Sequence, residues 1–298
     1  MKQASVTDVF LVFLRATLRY KWRALFILAC SGSAIALEST QPWLLKWLFD
    51  LLEVHTPTTA AIDIFLPVIA LFSLVKMLSW LCWRLLAIVT NRFQPVVMAD
   101  MAEGAFDYLL GHSYQFFADT FAGSLVKKVG RLSRAFETFA DEVTYRLVPV
   151  TIILIAAAIG LFLRSPLLAG LFAAWIAVYL LFVTFASRWA VVADTARAEL
   201  DSEVGGALAD AVSNAVTTKL FPAHDFEREK LNEVLRRHAR AFTRSWYRHE
   251  VIFATQGALM ILIEIVLMYL GVRAWIAGAL TLGDLAFIQT FLALVFHK

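Results

Sequence analysis

The chain is predicted to be an all-α polytopic membrane protein, and three observations predict it. Hydrophobic residues make up 60% of its 298 residues and charged ones only 17%, with a mean hydropathy of +0.70. A soluble domain is about 45–50% apolar and about 25% charged, so this excess needs lipid as its solvent. Apolar stretches of about 18 residues or more recur along the chain. At 1.5 Å per residue, about 20 residues cross a hydrocarbon core of about 30 Å. Between them lie two polar segments, Asn91 to Arg146 and Arg188 to Arg248, that carry helical periodicity rather than turn chemistry. The apolar runs are too long, and too free of period-two alternation, for barrel strands.

Taken in order, residues 1–22 form an N-terminal interfacial (elbow) helix. Val6, Val9, Phe10, Phe13 and Thr17 share one face, with Arg15, Arg19 and Lys21 at headgroup level. The first apolar run is too long for a cleavable signal, and no small-residue cleavage site precedes a soluble domain. Residues 23–298 form the membrane domain, with spans at about 23–50, 62–90, 147–163, 167–187 and 250–277 and a sixth from 281 that is cut short at Lys298. Cytoplasmic helical extensions occupy 91–146 and 188–248. Orientation follows from Lys and Arg, which crowd the N-terminus and both long segments, whereas the short opposite connections hold only Arg164 and Arg273. The N-terminus and both extensions are therefore expected in the cytoplasm. The net charge of +3 reflects this topology; no basic stripe interleaved with aromatics points to nucleic acid.

Within the first extension, Phe93, Val97, Met101, Ala105 and Leu109 make one apolar stripe. A second runs from Leu125 through Val129, Leu132, Phe136, Phe139 and Val143 to Leu147. In the second extension, Leu200, Val204, Leu208, Val212 and Ala215 make one stripe and Leu231, Leu235, His238, Phe242 and Trp246 another. Each extension reads as a helical hairpin, its tip lying at HSYQFFADTFAG (His112 to Gly123) or KLFPAHDFE (Lys219 to Glu227). Phenylalanines at such tips are costly to leave in water, so a docking partner is expected there. Cys30 and Cys82 fall within spans without CxxC or Cys/His spacing, so packing is their expected role and no metal site is indicated.

Charges inside spans are functional candidates by default. Glu38, Lys76 and Glu264 fall near one depth by residue count, and Lys46 and Asp50 are an i,i+4 pair near the outer end of the first span. Glu38 and Lys76 read equally well as a structural ion pair between neighbouring helices. Glu264 reads as lining a cavity, to which Gln41 and Gln256 add polar contacts. The candidate substrate cavity is thus Glu38, Gln41, Lys76 and Glu264. Trp43, Trp47, Trp80 and Trp83 read as packing or interface anchors.

Several stretches resemble the transmembrane domain of ABC exporters with six spans and long intracellular loops. HSYQFFADTFAGSLVKKV is similar to the family's first intracellular loop and LADAVSNAVTTKLFPAHDFEREKL to its second. GALTLGDLAFIQTFLALVF resembles the start of the sixth span, and QPWLLKWLFDLL fits the first. The resemblance implies a domain-swapped dimer, homo- or heteromeric, each half joined to an ATPase domain and moving an amphipathic drug or lipid by alternating access. It implies coupling helices near Phe116 to Leu125 and Leu220 to Glu227 that contact the ATPase through Phe116, Phe117, Asp119, Phe121, Gly123, Lys219, Phe221, His224, Asp225, Phe226 and Glu227. The chain itself lacks ATPase motifs: none of its 13 glycines is followed by Lys, so GxxxxGK[ST] is absent, as is a Ser-Gly-Gly signature. It reads as a truncated half-transporter, with ATP and Mg expected in the missing ATPase domain, on the same polypeptide or a separate chain. The complete transporter would hydrolyse ATP. Membrane lipids are the remaining expected partner, and a bacterial inner membrane the expected location. Two other classes are compatible with spanning helices. An ion- or proton-coupled carrier would use Glu38 and Glu264 without ATP. A membrane-embedded enzyme is disfavoured because the six histidines are scattered and neither GxSxG nor HExxH occurs.

Overall fold

The structure, a computed structural model, describes residues 6–55, 62–119, 122–213 and 224–297. We label its helices α1 (Val6–Leu18), α2 (Lys21–Glu38), α3 (Gln41–Val54), α4 (Ile62–Leu110), α5 (Tyr114–Asp119), α6 (Ala122–Asp141), α7 (Val148–Arg164), α8 (Pro166–Ser213), α9 (His224–Ile276) and α10 (Leu282–His297). A π-helical turn, Glu142–Leu147, joins α6 to α7. Five segments are long and apolar enough to cross a membrane: Lys21–Val54, Ile62–Leu110, Lys128–Arg164, Pro166–Ser213 and Asp225–Ile276. The described chain is helical throughout, as its composition requires, because an unpaired backbone N–H or C=O in hydrocarbon costs several kcal/mol.

Residue contacts divide the chain into two compact units: Met1–Leu168 with Met268–Lys298, and Ala169–Leu267. In the first, α2 packs antiparallel on α4, and α4 in turn on α6. The cluster that ties these helices to α1 contains Phe13, Ile27, Cys30, Leu86, Phe93, Val97, Met101 and Phe136. Four of the predicted first-extension stripe residues thus lie in one core. Phe13 meets Phe136 edge-on at 5.8 Å and Phe139 at 5.4 Å.

The first crossing differs from the single span expected over 23–50. It breaks at Ser39–Thr40, between α2 and α3. Pro42 lies in the first turn of α3. It has no N–H for the carbonyl of Glu38, so the α2 ladder cannot continue through it. Instead Ser39 N donates to Ile35 O at 2.8 Å and Thr40 N to Leu37 O at 3.1 Å. Below the break α2 packs on α4; above it α3 packs on α10.

The π turn also changes the predicted register. One extra residue per turn rotates the following helix relative to the preceding one. Phe136 on α6 is buried, but Leu147, expected on the same stripe, is 62% exposed. Ser31 Oγ donates to Thr144 O within the π turn at 2.7 Å.

The second unit contains the paired stretches of α8 and α9, which run antiparallel. Trp175 Nε1 donates to Leu259 O at 2.9 Å, and farther along Ser245 Oγ donates to Asp194 Oδ1 at 2.6 Å. Phe172, Ile263 and Leu267 are buried in the predicted spans, whereas in the extension the buried residues are small: Ala190 and Ala193 on α8, next to Ala186, and Ser245 with Val234 on α9. Leu208, Val212, Leu235 and Trp246, all expected on packed stripes, are exposed.

Gly278 terminates α9 with φ +74°. Its N–H donates to Trp275 O and that of Ala279 to Ala274 O, both at 2.9 Å. That pair of bonds is a Schellman cap, which needs a left-handed residue that glycine adopts without a Cβ penalty.

Candidate functional site: membrane charges and cytoplasmic tips

The densest polar site sits where α3, α7 and the start of α10 converge. Thr281 precedes α10 and Asp284 lies three residues later, a capping-box spacing with Asp in the acidic position. Asp284 N donates to Thr281 Oγ1 at 3.2 Å, and Thr281 N donates back to Asp284 Oδ2 at 2.9 Å. Lys46 and Asp284 are both buried. Lys46 Nζ donates to Asp50 Oδ2 at 2.6 Å and to Thr281 Oγ1 at 3.1 Å, and it lies 3.0 Å from Asp284 Oδ1 without hydrogen-bond geometry. The Asp284 contact is ionic in character and is shared with Arg164 Nε at 3.4 Å. Thr281 Oγ1 donates to Asp50 Oδ1 at 2.6 Å. Arg164 also stands 5.3 Å from the centroid of Trp43. Two cations and two carboxylates therefore balance, which burial of such charges demands.

Gly283 makes this convergence possible. A Cβ there would stand 2.2 Å from Asp50 Oδ1 and 2.5 Å from Lys46 O, so α10 approaches α3 closer than any side chain allows.

The candidate cavity residues fall on α2, α3, α4 and α9. Glu38, at the end of α2, accepts from Trp83 Nε1 at 2.7 Å and from Ser79 Oγ at 3.2 Å. Trp83 stacks on Tyr145 with centroids 6.1 Å apart. Glu38 therefore holds neutral donors of α4, in place of the ion pair with Lys76 that was one of two expected readings. Lys76 is exposed on α4, its Nζ 5.8 Å from the Phe72 centroid. Gln41 is half-buried, and its Nε2 finds no hydrogen-bond partner among the described residues. Glu264 is half-buried on α9, within the other unit.

At the first tip, a ladder of rings runs from the end of α4 into α5. Tyr108 meets His112 at 4.8 Å, His112 meets Phe116 at 4.2 Å, and Phe116 meets Phe117 at 5.5 Å. Phe117 is 39% exposed and Tyr114 is 89% exposed. Asp119 lies at the end of α5 and Gly123 near the start of α6. Phe121, Lys219 and Phe221 lie outside the described residues. His224 opens α9. Next to it, Asp225 and Phe226 are exposed and Glu227 is half-buried, with Arg228 Nη2 3.4 Å from Asp225 Oδ1.

In the second extension Asp194 binds Ser245 and also lies 3.0 Å from His249 Nε2. The Ser245 hydroxyl, followed by His249, holds its carboxyl below the usual aspartate range against the opposing effect of burial. Arg248 donates to Trp189 O at 2.6 Å, and Arg237 pairs with Glu203.

Sequence reasoning singled out Lys46 and Asp50 but missed Asp284, Thr281, Asp194 and Ser245. Thr281-x-x-Asp284 before an apolar run was the available signal for the first pair. Nothing local announces Asp194, whose partners lie 51 and 55 residues away.

Five crossing helices, two of them continuing as an antiparallel pair, with buried charge balanced in the first unit, define a helical membrane transport domain rather than a barrel or a soluble bundle. Residues 24–298 match the ABC transporter transmembrane region, and the chain belongs to that family. It is 24% identical over 285 residues to an ATM1-type heavy metal exporter of Novosphingobium aromaticivorans, an alignment covering 95% of this chain and 46% of that protein. Its fold is similar to that of a bacterial Atm1-family ABC exporter solved with ATP bound, with TM-score 0.79 and 22% identity over 94% of this chain and 49% of the other. The chain thus spans about half the length of the relatives it matches.

Proposed function

We propose that this chain is the membrane-spanning part of an ATP-driven exporter, moving an amphipathic drug or lipid out of the cytoplasm or inner leaflet by alternating access. The observation that carries the reading is the length of its helices. At 1.5 Å per residue the 49 residues of α4 extend about 73 Å, and a crossing uses only about 30 Å. About 40 Å remains as a stiff rod that leads to the Phe116–Phe117 tip. A carrier driven by an ion gradient has no need of such rods, whereas an external ATPase does.

In this mechanism ATP supplies the work in a partner domain, and this chain transmits it. Closure of two ATPase domains pushes the aromatic tips, with the second tip near Phe221 engaging the ATPase of the opposite half. The rods tilt, and the crossings re-expose a cavity to the outside. Glu38, Gln41, Lys76 and Glu264 are its proposed polar lining, suited to a cationic amphiphile or a lipid headgroup. The name of the heavy metal exporter relative adds a heavy metal as a second candidate cargo. Lys and Arg bias places the N-terminus and both extensions in the cytoplasm, with a bacterial inner membrane as the proposed location.

The test is transport by the chain, joined to its ATPase domain and reconstituted in proteoliposomes. ATP-dependent uptake of an amphipathic dye or lipid, lost in Phe221→Ala with ATP hydrolysis retained, is the expected result. Uptake that follows a proton gradient without ATP, and that is lost in Glu38→Gln and Glu264→Gln, would establish the proton-coupled carrier instead.

A further inference from the structure

The antiparallel register of α2 on α4 brings the two cysteines of the chain together. Ser79 Oγ donates to Ala34 O at 3.3 Å. Fourteen residues back from Ala34 and fourteen forward from Ser79, the rings of Tyr20 and Phe93 meet at 6.4 Å, so one register holds along the whole contact. Cys30 lies four residues before Ala34 and Cys82 three after Ser79, each one turn away on the packed face. Because the helices run oppositely, these steps of about 6 Å and about 4.5 Å go the same way and leave the two residues about 1.5 Å from level. Their neighbours fix the side on which they lie. Ser31 donates to Thr144 O and Trp83 stacks on Tyr145, so both turn toward the π turn. One residue earlier on each helix, Cys30 and Cys82 lean together to the opposite edge of the interface. The two thiols are close enough to interact electrostatically.

We propose that Cys30 and Cys82 bind one soft divalent metal ion in linear, two-coordinate fashion, with mercuric ion as the representative. This goes beyond the transport reading and rests on the packing of α2 against α4 alone.

The chemistry of the pair selects the ion. Thiolate sulfur favours soft metals, whereas magnesium, calcium and manganese want oxygen. Among the described residues no group of three or more His, Cys, Asp and Glu is placed to hold an ion, so the four ligands that structural zinc takes are not available there. A linear bridge needs sulfurs about 4.6 Å apart, twice a metal–sulfur bond of about 2.3 Å. Side chains that meet between helix axes about 8–10 Å apart span that distance. Charge selects the valence. Cys30 is buried in the same apolar cluster as Ile27 and Leu86, where a net charge is costly. Two S–H bonds are replaced by two S–metal bonds, two protons leave to water, and nothing is oxidised. With a divalent ion the product is neutral, and with a monovalent ion it would be an anion. Cys82 is only half-buried, which supplies the entry path.

Native mass spectrometry of the full chain, given one equivalent of mercuric chloride and two of glutathione, tests the site. The expected species carries one mercury, lacks two protons and holds no glutathione. In Cys30→Ala and in Cys82→Ala that species should be lost, and mercury should remain only as an adduct that carries glutathione. Leu81→Cys/Cys82→Ala keeps two thiols but turns one by about 100° around α4, and it too should lose the bridged species. Zinc chloride should leave no retained ion. Bound mercury should raise the unfolding midpoint of the parent and leave that of Leu81→Cys/Cys82→Ala unchanged. Two mercury–glutathione adducts on the parent, bridging undiminished in Leu81→Cys/Cys82→Ala, or retained zinc overturns the site. Cys82 and Leu81 are not buried, so their variants decide the matter even where Cys30→Ala fails to fold.

Discussion

Lys46 shows how a charge is held inside a span. Its ammonium donates to Asp50 and Thr281 and is ion-paired with Asp284, and removing one member of a buried ion network costs about 3–5 kcal/mol because the partners stay buried. Lys46→Met should therefore lower the unfolding midpoint in detergent far more than Asp50→Asn, whose carboxylate is partly exposed. Lys46→Met/Asp284→Asn should recover much of the loss. Asp194, beyond the predicted 167–187 span, gives a pH-dependent counterpart. Its folded pKa is depressed, chiefly by Ser245, so its contribution is present above the unfolded value of about 3.9 and is lost as pH falls through the folded value. In Ser245→Ala that loss should shift upward toward the ordinary value, as followed by ¹³C-carboxyl NMR. The i,i+4 spacing made Lys46–Asp50 readable from sequence. The donors of Glu38 were not, because an indole N–H 45 residues away carries no spacing rule.

Among the elements, the rods were readable and their packed faces only partly so. Apolar repeats at four residues located Phe93, Val97 and Met101 in the core, since a long side chain there has one way to leave water. In the second extension the stripe of large residues is not the packed one. α8 meets α9 through alanines and a serine, and Leu208 and Val212 stay exposed. Small residues allow close approach and give no hydrophobic signal, so periodicity pointed to the larger side chains. The ring ladder at Phe116–Phe117 yields a functional prediction. Phe117→Ala removes exposed contact area without touching the helix core, so transport per ATP should fall several-fold with the melting temperature unchanged. Gly283→Ala should do the reverse. Its Cβ would collide with the backbone of Lys46, so α10 must shift, and overpacking of this kind costs about 1–3 kcal/mol in thermal stability.

For the whole molecule, composition and run length were enough to read an all-α membrane protein, and family membership over residues 24–298 agrees with that reading. Two details escaped: the break at Ser39–Thr40 and the π turn, each a matter of one or two residues within otherwise helical sequence. The break leaves the first crossing as two segments, α2 packed mainly on α4 and α3 mainly on α10 with α4 also beside it. Replacing Pro42 with Ala should lengthen the continuous helix and raise hydrogen-exchange protection at residues 38–42. The ionic network at the upper segment also carries a constraint of timing. Thr281 is 235 residues downstream of Lys46, and translation at about 5–20 residues per second leaves roughly 10–50 s between their synthesis. During that interval the first segment must enter the bilayer without Asp284 or Thr281. Of the three partners described, Asp50, one turn away on the same helix, is already made, so the pair travels as its own counter-ion until α10 arrives.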